Sequence, residues 1–195
     1  MDIQESALIE AARRGDSEAF GVIVSRYMPK ALAFARRMTG DDGDAEDVVQ
    51  DAFIKAYKAI GSFKAESGFG TWFYRILANQ CLDHLRKATF FRRVFFFAYP
   101  ARDEEGQDGY NTPDFPDPAG RPDEELEQKQ LKKALNKAVM GLPERQRAVF
   151  LLKHDEGLKI SEIAVILGIT EGAAKSHLSR AAAALRDSMK AHRGR

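Results

Sequence analysis

The sequence predicts an all-α protein: two small helical domains joined by a flexible, acidic, proline-rich linker, the second domain containing a helix-turn-helix. Three observations carry this. Apolar residues recur at steps of three and four toward both ends of the chain, with no strand-like alternation, internal repeat or heptad array. Five of the seven prolines (Pro100, Pro113, Pro116, Pro118 and Pro122) lie between Pro100 and Glu125. Ile160 to Arg180 reads as two helices broken at Gly168, where a helix C-cap favours a residue tolerant of positive φ.

Composition narrows the function classes. The chain has 195 residues, 44% hydrophobic and 30% charged, as a soluble globular protein of one or two domains should. Its one cysteine, Cys81, precludes an intrachain disulfide, and four scattered histidines give no metal-ligand spacing. Asp41, Asp42 and Asp44 lack calcium-loop spacing and read as a helix-capping turn. No Ser/His/Asp set or phosphate loop is present, so an enzyme finds little support and no cofactor is expected. Met1 to Arg14 is charged and lacks the apolar centre of a signal peptide, and no apolar run suits a membrane span. The expectation is a cytoplasmic protein without membrane insertion.

The net charge of +1 is unevenly spread. Residues 1–99 carry 14 Lys and Arg against 13 Asp and Glu; residues 100–130 carry 3 against 10. Residues 131–195 carry 13 against 6, so the C-terminal third is basic, as a nucleic-acid binder should be.

In chain order, residues 4–14 form a first helix ended by Gly15, and Asp16 can cap the next, from about Ser17 to Thr39, interrupted by Pro29. After a turn at Gly40–Gly43, about Asp44 to Ile60 shows the cleanest periodicity, with Ala45, Val48, Val49, Ala52, Phe53, Ala56, Tyr57 and Ile60 inward. Its outer face has Asp44, Asp47, Gln50 and Asp51 early and Lys55 and Lys58 late, an order that suits the helix dipole.

Gly61 to Gly70 is a glycine-rich loop, and a fourth helix runs from about Thr71 to Lys87. Trp72 and Phe73 beside Arg75 suit either the core or stacking on single-stranded nucleic acid. Phe90 to Tyr99 places six aromatics in ten residues around Arg92 and Arg93, and is expected to pack on the first domain or lie under a partner. Pro100 to Glu125 reads as an extended linker that no helix crosses.

The second domain begins near Asp123 with a helix ending at Gly141. Another runs from Pro143 to His154, and the helix-turn-helix follows Gly157. Thr170 is a natural N-cap, and the helix after it offers Lys175, Ser176, His177, Ser179 and Arg180 to DNA. The final helix continues through Leu185 to a basic tail, Lys190–Arg195. A stand-alone helix-turn-helix repressor would use only residues 131–195 and would need a dimerisation surface, which is not evident.

Four stretches in order resemble a bacterial RNA polymerase sigma factor of the extracytoplasmic-function group. Asp47-Val48-Val49-Gln50-Asp51 resembles that family's core-binding helix, and Thr71 to Ile76 with Asn79, Asp83, Leu85 and Arg86 its promoter-melting helix. Leu142 to Arg147 followed by Val149-Phe150-Leu151 resembles the opening of its second DNA-binding domain, and Gly172 to Ala181 its recognition helix.

The resemblance implies a transcription initiation factor, monomeric when free, with three partners: core RNA polymerase, promoter DNA and an anti-sigma factor. Domain boundaries would fall at 1–99, 100–125 and 126–195. Asp47, Gln50 and Asp51 would meet the clamp of the polymerase large subunit. The loop Phe63–Phe69, including Lys64, would receive a flipped −10 base. Trp72, Phe73 and Arg75 would sit at the melted junction, and Asn79, Arg86 and Lys87 would contact the single-stranded −10 region. Thr170, Lys175, Ser176, His177 and Arg180 would read the −35 duplex. The acidic linker would lie in the polymerase's RNA path. The family usually has Arg where this chain has His177, which lacks the two-donor fork that Arg presents to guanine. With a linker of this kind, the two domains are expected to move independently unless a partner holds them together.

Overall fold

The computed structural model describes the backbone of residues 3–65, 67–98 and 122–193. Among these are eight α-helices and no strand: α1 Ile3–Arg13, α2 Ser17–Thr39, α3 Asp42–Ala59, α4 Phe69–Ala98, α5 Pro122–Met140, α6 Glu144–His154, α7 Ile160–Leu167 and α8 Glu171–Arg193. A single 3₁₀ turn, Ile60–Ser62, follows α3. Tyr99 to Arg121, most of the expected linker, lie outside the described residues.

The boundaries follow capping chemistry. Asp16 accepts from the N–H groups of Glu18 and Ala19 at 2.9 and 3.0 Å and opens α2. Asp41 accepts from the Asp44 N–H at 2.9 Å, starting α3 two residues before the periodicity does. Gly40 and Gly168 take positive φ, 85° and 62°, to close α2 and α7. Pro29 does not break α2; it lies on the exposed side, where the carbonyl its ring leaves unpaired can be hydrated.

Two elements differ from the sequence reading. α4 runs to Ala98, because nothing between Lys87 and Phe90 is a helix breaker. α5 opens at Pro122, inside the stretch assigned to the linker, with proline at the first helical position, where its missing N–H costs nothing.

The apolar faces of α1 to α4 enclose one core. Phe53 stacks on Phe73 at 4.6 Å between ring centroids, and Phe34, Met38 and Leu77 are fully buried beside them. α5 to α8 enclose Val139, Val149, Leu151, Leu152, Ile163, Ile166 and Ala174.

The two halves are not apart. α4 packs on α7, and α2 packs on α5 and α6. At the centre of this seam Arg147, 7% exposed, donates from Nη1 to the carbonyl of Met38 at 2.6 Å. Its Nη2 donates to Leu142 O at 3.2 Å and to Met140 O. Arg37 pairs with Asp155 across the same seam. The two halves, expected to move independently, are in contact here: one buried guanidinium satisfies carbonyls at the end of α2 and in the α5–α6 turn together.

Candidate nucleic-acid and protein interfaces

The recognition helix comes first. The Thr170 hydroxyl oxygen accepts from the Ala173 N–H at 3.1 Å and fixes the start of α8. Ala174, Ala181 and Leu185 turn inward. Successive side chains on a helix are separated by about 100°. Lys175, Ser176, Ser179 and Arg180 therefore share one exposed face, all four open to solvent. His177 does not join it. It sits at the margin of the buried side, half-buried, with Nδ1 shielded and unpartnered. Lys175 and Arg180 are the charged donors of the fully exposed face.

The second surface is the outward side of α4. Arg75, Asn79, Arg86 and Lys87 are exposed, and Lys64 is exposed on the preceding loop. Arg86 pairs with Asp83 one turn back. Trp72 is half-buried, its ring 5.2 Å from Phe63 and 5.4 Å from Phe69. Phe63, Phe69 and Phe73 are 3%, 1% and 0% exposed. These three rings are core: of the two readings open for Phe73 the structure takes the buried one, and the rings of Phe63 and Phe69, at the ends of the loop expected to receive a flipped base, are not themselves open to a base. Aromatic burial anchors the loop at both ends. Between the anchors the chain passes through Ala65 at φ 56°, a left-handed conformation unusual for alanine.

The third surface is α3. Asp47, Gln50 and Asp51 are exposed, and neither aspartate is ion-paired to a described residue. Asp44, by contrast, meets His84 Nε2 at 3.1 Å. Beside these acids α2 and α3 line an apolar groove of about 580 Å³, walled by Val24, Met28 and Leu32 on one side and Phe53, Ile54 and Tyr57 on the other. Ile54 and Tyr57 are 44% and 47% exposed. Tyr57, expected inward, has its ring edge-on to Phe20 at 5.0 Å at the groove rim. Ile54 escapes the sequence pattern because it falls outside the inward row of α3, on the side of Asp47 and Asp51.

Two perturbed groups, Tyr74 and Glu156, meet at the seam between the halves. Burial raises the pKa of the Glu156 carboxyl, against smaller lowering effects of the Tyr74 hydroxyl and Lys30. Tyr74 is pushed well above its usual range, first by burial and then by Glu156. Burial pushes the Cys81 thiol up to about 12, which leaves it inert. A carboxyl raised on folding prefers its protonated form, so its stability contribution is intact below the usual carboxylate range. That contribution is lost as pH rises through the raised value. Glu156→Gln is therefore expected to stabilise the chain at neutral pH and to have no effect below about pH 4, as chemical denaturation at both pH values would show. An equal effect at both would exclude ionisation as the cause.

No helix among the described residues is long and apolar enough to cross a membrane, and no group of three metal-ligating side chains occurs among them. A helical chain in two halves, with an exposed basic face on α8 in the second, is the arrangement expected of a DNA-binding protein. Comparison with known proteins narrows this. The family description Sigma-70 region 2 matches residues 23–91, and Sigma-70, region 4 matches residues 132–185. The RNA polymerase sigma-H factor of Pseudomonas aeruginosa is 34% identical over 185 residues, covering 93% of this chain and 92% of that protein. The ECF RNA polymerase sigma factor SigW of Bacillus subtilis is 30% identical over 190 residues, covering 97% and 99%. Among solved structures, CnrH in complex with the cytosolic domain of CnrY is similar with a TM-score of 0.63 at 26% identity, over 96% of this chain and 98% of that one. RpoE bound to the anti-sigma factor NepR from Bartonella quintana is similar with a TM-score of 0.67 at 26% identity, over 88% and 96%. The chain belongs to the extracytoplasmic-function group of RNA polymerase sigma factors. It is accordingly a promoter-specific transcription initiation factor.

Proposed function

We infer that the chain loads on core RNA polymerase through Asp47, Gln50 and Asp51 and the neighbouring apolar groove. Loaded, it directs the enzyme to promoters with two DNA contacts. Lys175, Ser176 and Arg180 on α8 read the −35 duplex, with Thr170 fixing the start of that helix. Arg75, Asn79, Arg86 and Lys87 on α4, with Trp72 and Lys64, hold the melted −10 strand. The observation that carries this reading is the separation of three exposed chemistries on three helices: unpaired acids beside an apolar groove on α3, and cations on α4 and on α8. A stand-alone repressor would leave the first two idle.

A first domain of about 1–99 and a second that opens with α5 at Pro122 suit this division, with the acidic segment between them kept from DNA by its own charge. An anti-sigma factor is the expected inhibitor in the cytoplasm, and CnrH and RpoE, both similar in fold, are solved with the partners CnrY and NepR. Neither catalysis nor a cofactor is needed for any of these roles.

Run-off transcription tests the reading. A promoter-specific transcript should appear only when both this chain and core polymerase are present; site-specific duplex binding without any transcript would sink it. Within that assay, Arg180→Ala is expected to weaken −35 binding by about 1–3 kcal/mol for the preferred sequence. An equal loss on every sequence would make Arg180 a phosphate contact.

A further inference from the structure

Beyond Leu85 the buried row of α4 stops. All six residues from Arg86 to Phe91 are exposed, and six residues at about 100° each cover the whole circumference of a helix. This part of α4 therefore stands clear of every other described element. Phe90 and Phe91 are 64% and 61% exposed, with ring centroids 6.1 Å apart in an edge-to-face pair. Leaving two phenylalanines in water is unfavourable, and an occupied surface would remove the cost.

The position of Phe90 is specific. Trp72, Arg75, Asn79, Asp83, Arg86 and Phe90 follow one another at steps of three and four, so they form a single stripe along α4 with an aromatic at each end. From Trp72 to Phe90 the stripe is about 27 Å long at 1.5 Å per residue. Asp83, its one acid, is tied to Arg86. Between Arg86 and Tyr99 the sequence has four cations and no acid. Rings flanked by cations in an acid-free segment fit a polyanion whose units carry flat faces.

We propose that Phe90 and Phe91 form a stacking platform for bases of single-stranded DNA, lengthening the strand-binding stripe of α4 beyond the contacts at Arg75 to Lys87. The proposal rests on the assignment of α4 to the melted strand. Its ligand class is an unpaired DNA strand, because a base still stacked in a duplex offers no free face to a ring. An inhibitory protein or a second copy of the chain on the same rings is the competing occupant.

The test uses the full chain assembled with core polymerase and a fluorescent fork-junction promoter whose non-template strand is single-stranded from the −10 element. A blunt duplex of the same sequence is the control. Phe90→Ala/Phe91→Ala should weaken fork binding roughly tenfold, leave duplex binding and polymerase loading unchanged, and be rescued by Phe90→Trp/Phe91→Trp. Arg75→Ala/Asn79→Ala tests the underlying assignment separately. If that pair weakens fork binding and the phenylalanine pair does not, the platform is wrong and the assignment stands. If neither does, both fall. Loss of polymerase loading, or equal loss on fork and duplex, overturns the platform in favour of a protein contact or a general charge effect. Both rings are exposed, so an unchanged melting midpoint verifies that the fold is intact.

Discussion

Asp51→Lys should abolish association with core polymerase while leaving both halves folded. Asp51 is exposed on α3, one turn from Asp47, and has no ion pair with a described residue. The helix dipole explains acids in the first turn, near Asp42 and Asp44. It does not explain Asp51, ten positions into α3, so a basic partner is the better account. Placing a cation there turns attraction into repulsion, and like charges juxtaposed across an interface cost several kcal/mol, enough for a loss of at least about 100-fold. The measurement is co-purification with core polymerase and promoter-dependent transcription. Asp51→Asn should lose less, since it removes the attraction without adding repulsion. A lysine variant that still yields the promoter-specific transcript would show that α3 does not carry the contact.

Arg147→Met is expected to open the molecule. The substitution keeps much of the side-chain length but withdraws the donors that meet Met38 O, Met140 O and Leu142 O. Hydrogen bonds to a charged group are each worth about 1.5–3 kcal/mol, and buried acceptors left bare add to the loss, so about 2–4 kcal/mol is expected overall. Small-angle scattering reads the change. A compact chain of this length has a radius of gyration of roughly 16 Å, and separation of the halves should raise it clearly. Arg147 also braces its own half, so Arg37→Glu is the companion variant: it removes the ion pair with Asp155 and sets two acids against each other at the seam. Opening in both variants locates the effect at the seam; a radius unchanged in both would refute the staple.

Much of this is legible in the chain. Asp16, Gly168 and Thr170 announce their roles because a cap is a local event, decided by one side chain or one φ angle. The exposed acids of α3 and cations of α8 follow from spacing alone. Phe63, Phe69 and Phe73 show the limit. An aromatic beside a cation reads the same whether it faces bases or core, and only the convergence of α2, α3 and α4 decides. His177 needs its angle around α8, three residues before Arg180, to be seen as marginal. Tyr57 lies near the end of a regular inward row, yet it lines a groove between α2 and α3 that no one-dimensional pattern contains. Arg147 is hidden most completely: charge implies surface, and nothing local announces that the carbonyl of Met38 waits 109 positions earlier in the chain.

That buried guanidinium has a thermodynamic consequence. Elements at −35 and −10 lie about 25 base pairs apart, roughly 85 Å at the 3.4 Å rise of B-form DNA. A closed molecule cannot lay α8 and α4 on both at once. The closed form therefore acts as a tax on promoter engagement, dividing the apparent affinity by the fraction of molecules that are open. Each 1.4 kcal/mol by which the Arg147 staple favours closure costs about a factor of ten, so polymerase must supply in differential affinity whatever the staple withholds. The strength of the one hydrogen bond that crosses the seam, from Arg147 to Met38 O, together with the Arg37–Asp155 pair, would thereby set how rarely the factor engages DNA on its own, before any inhibitor is bound.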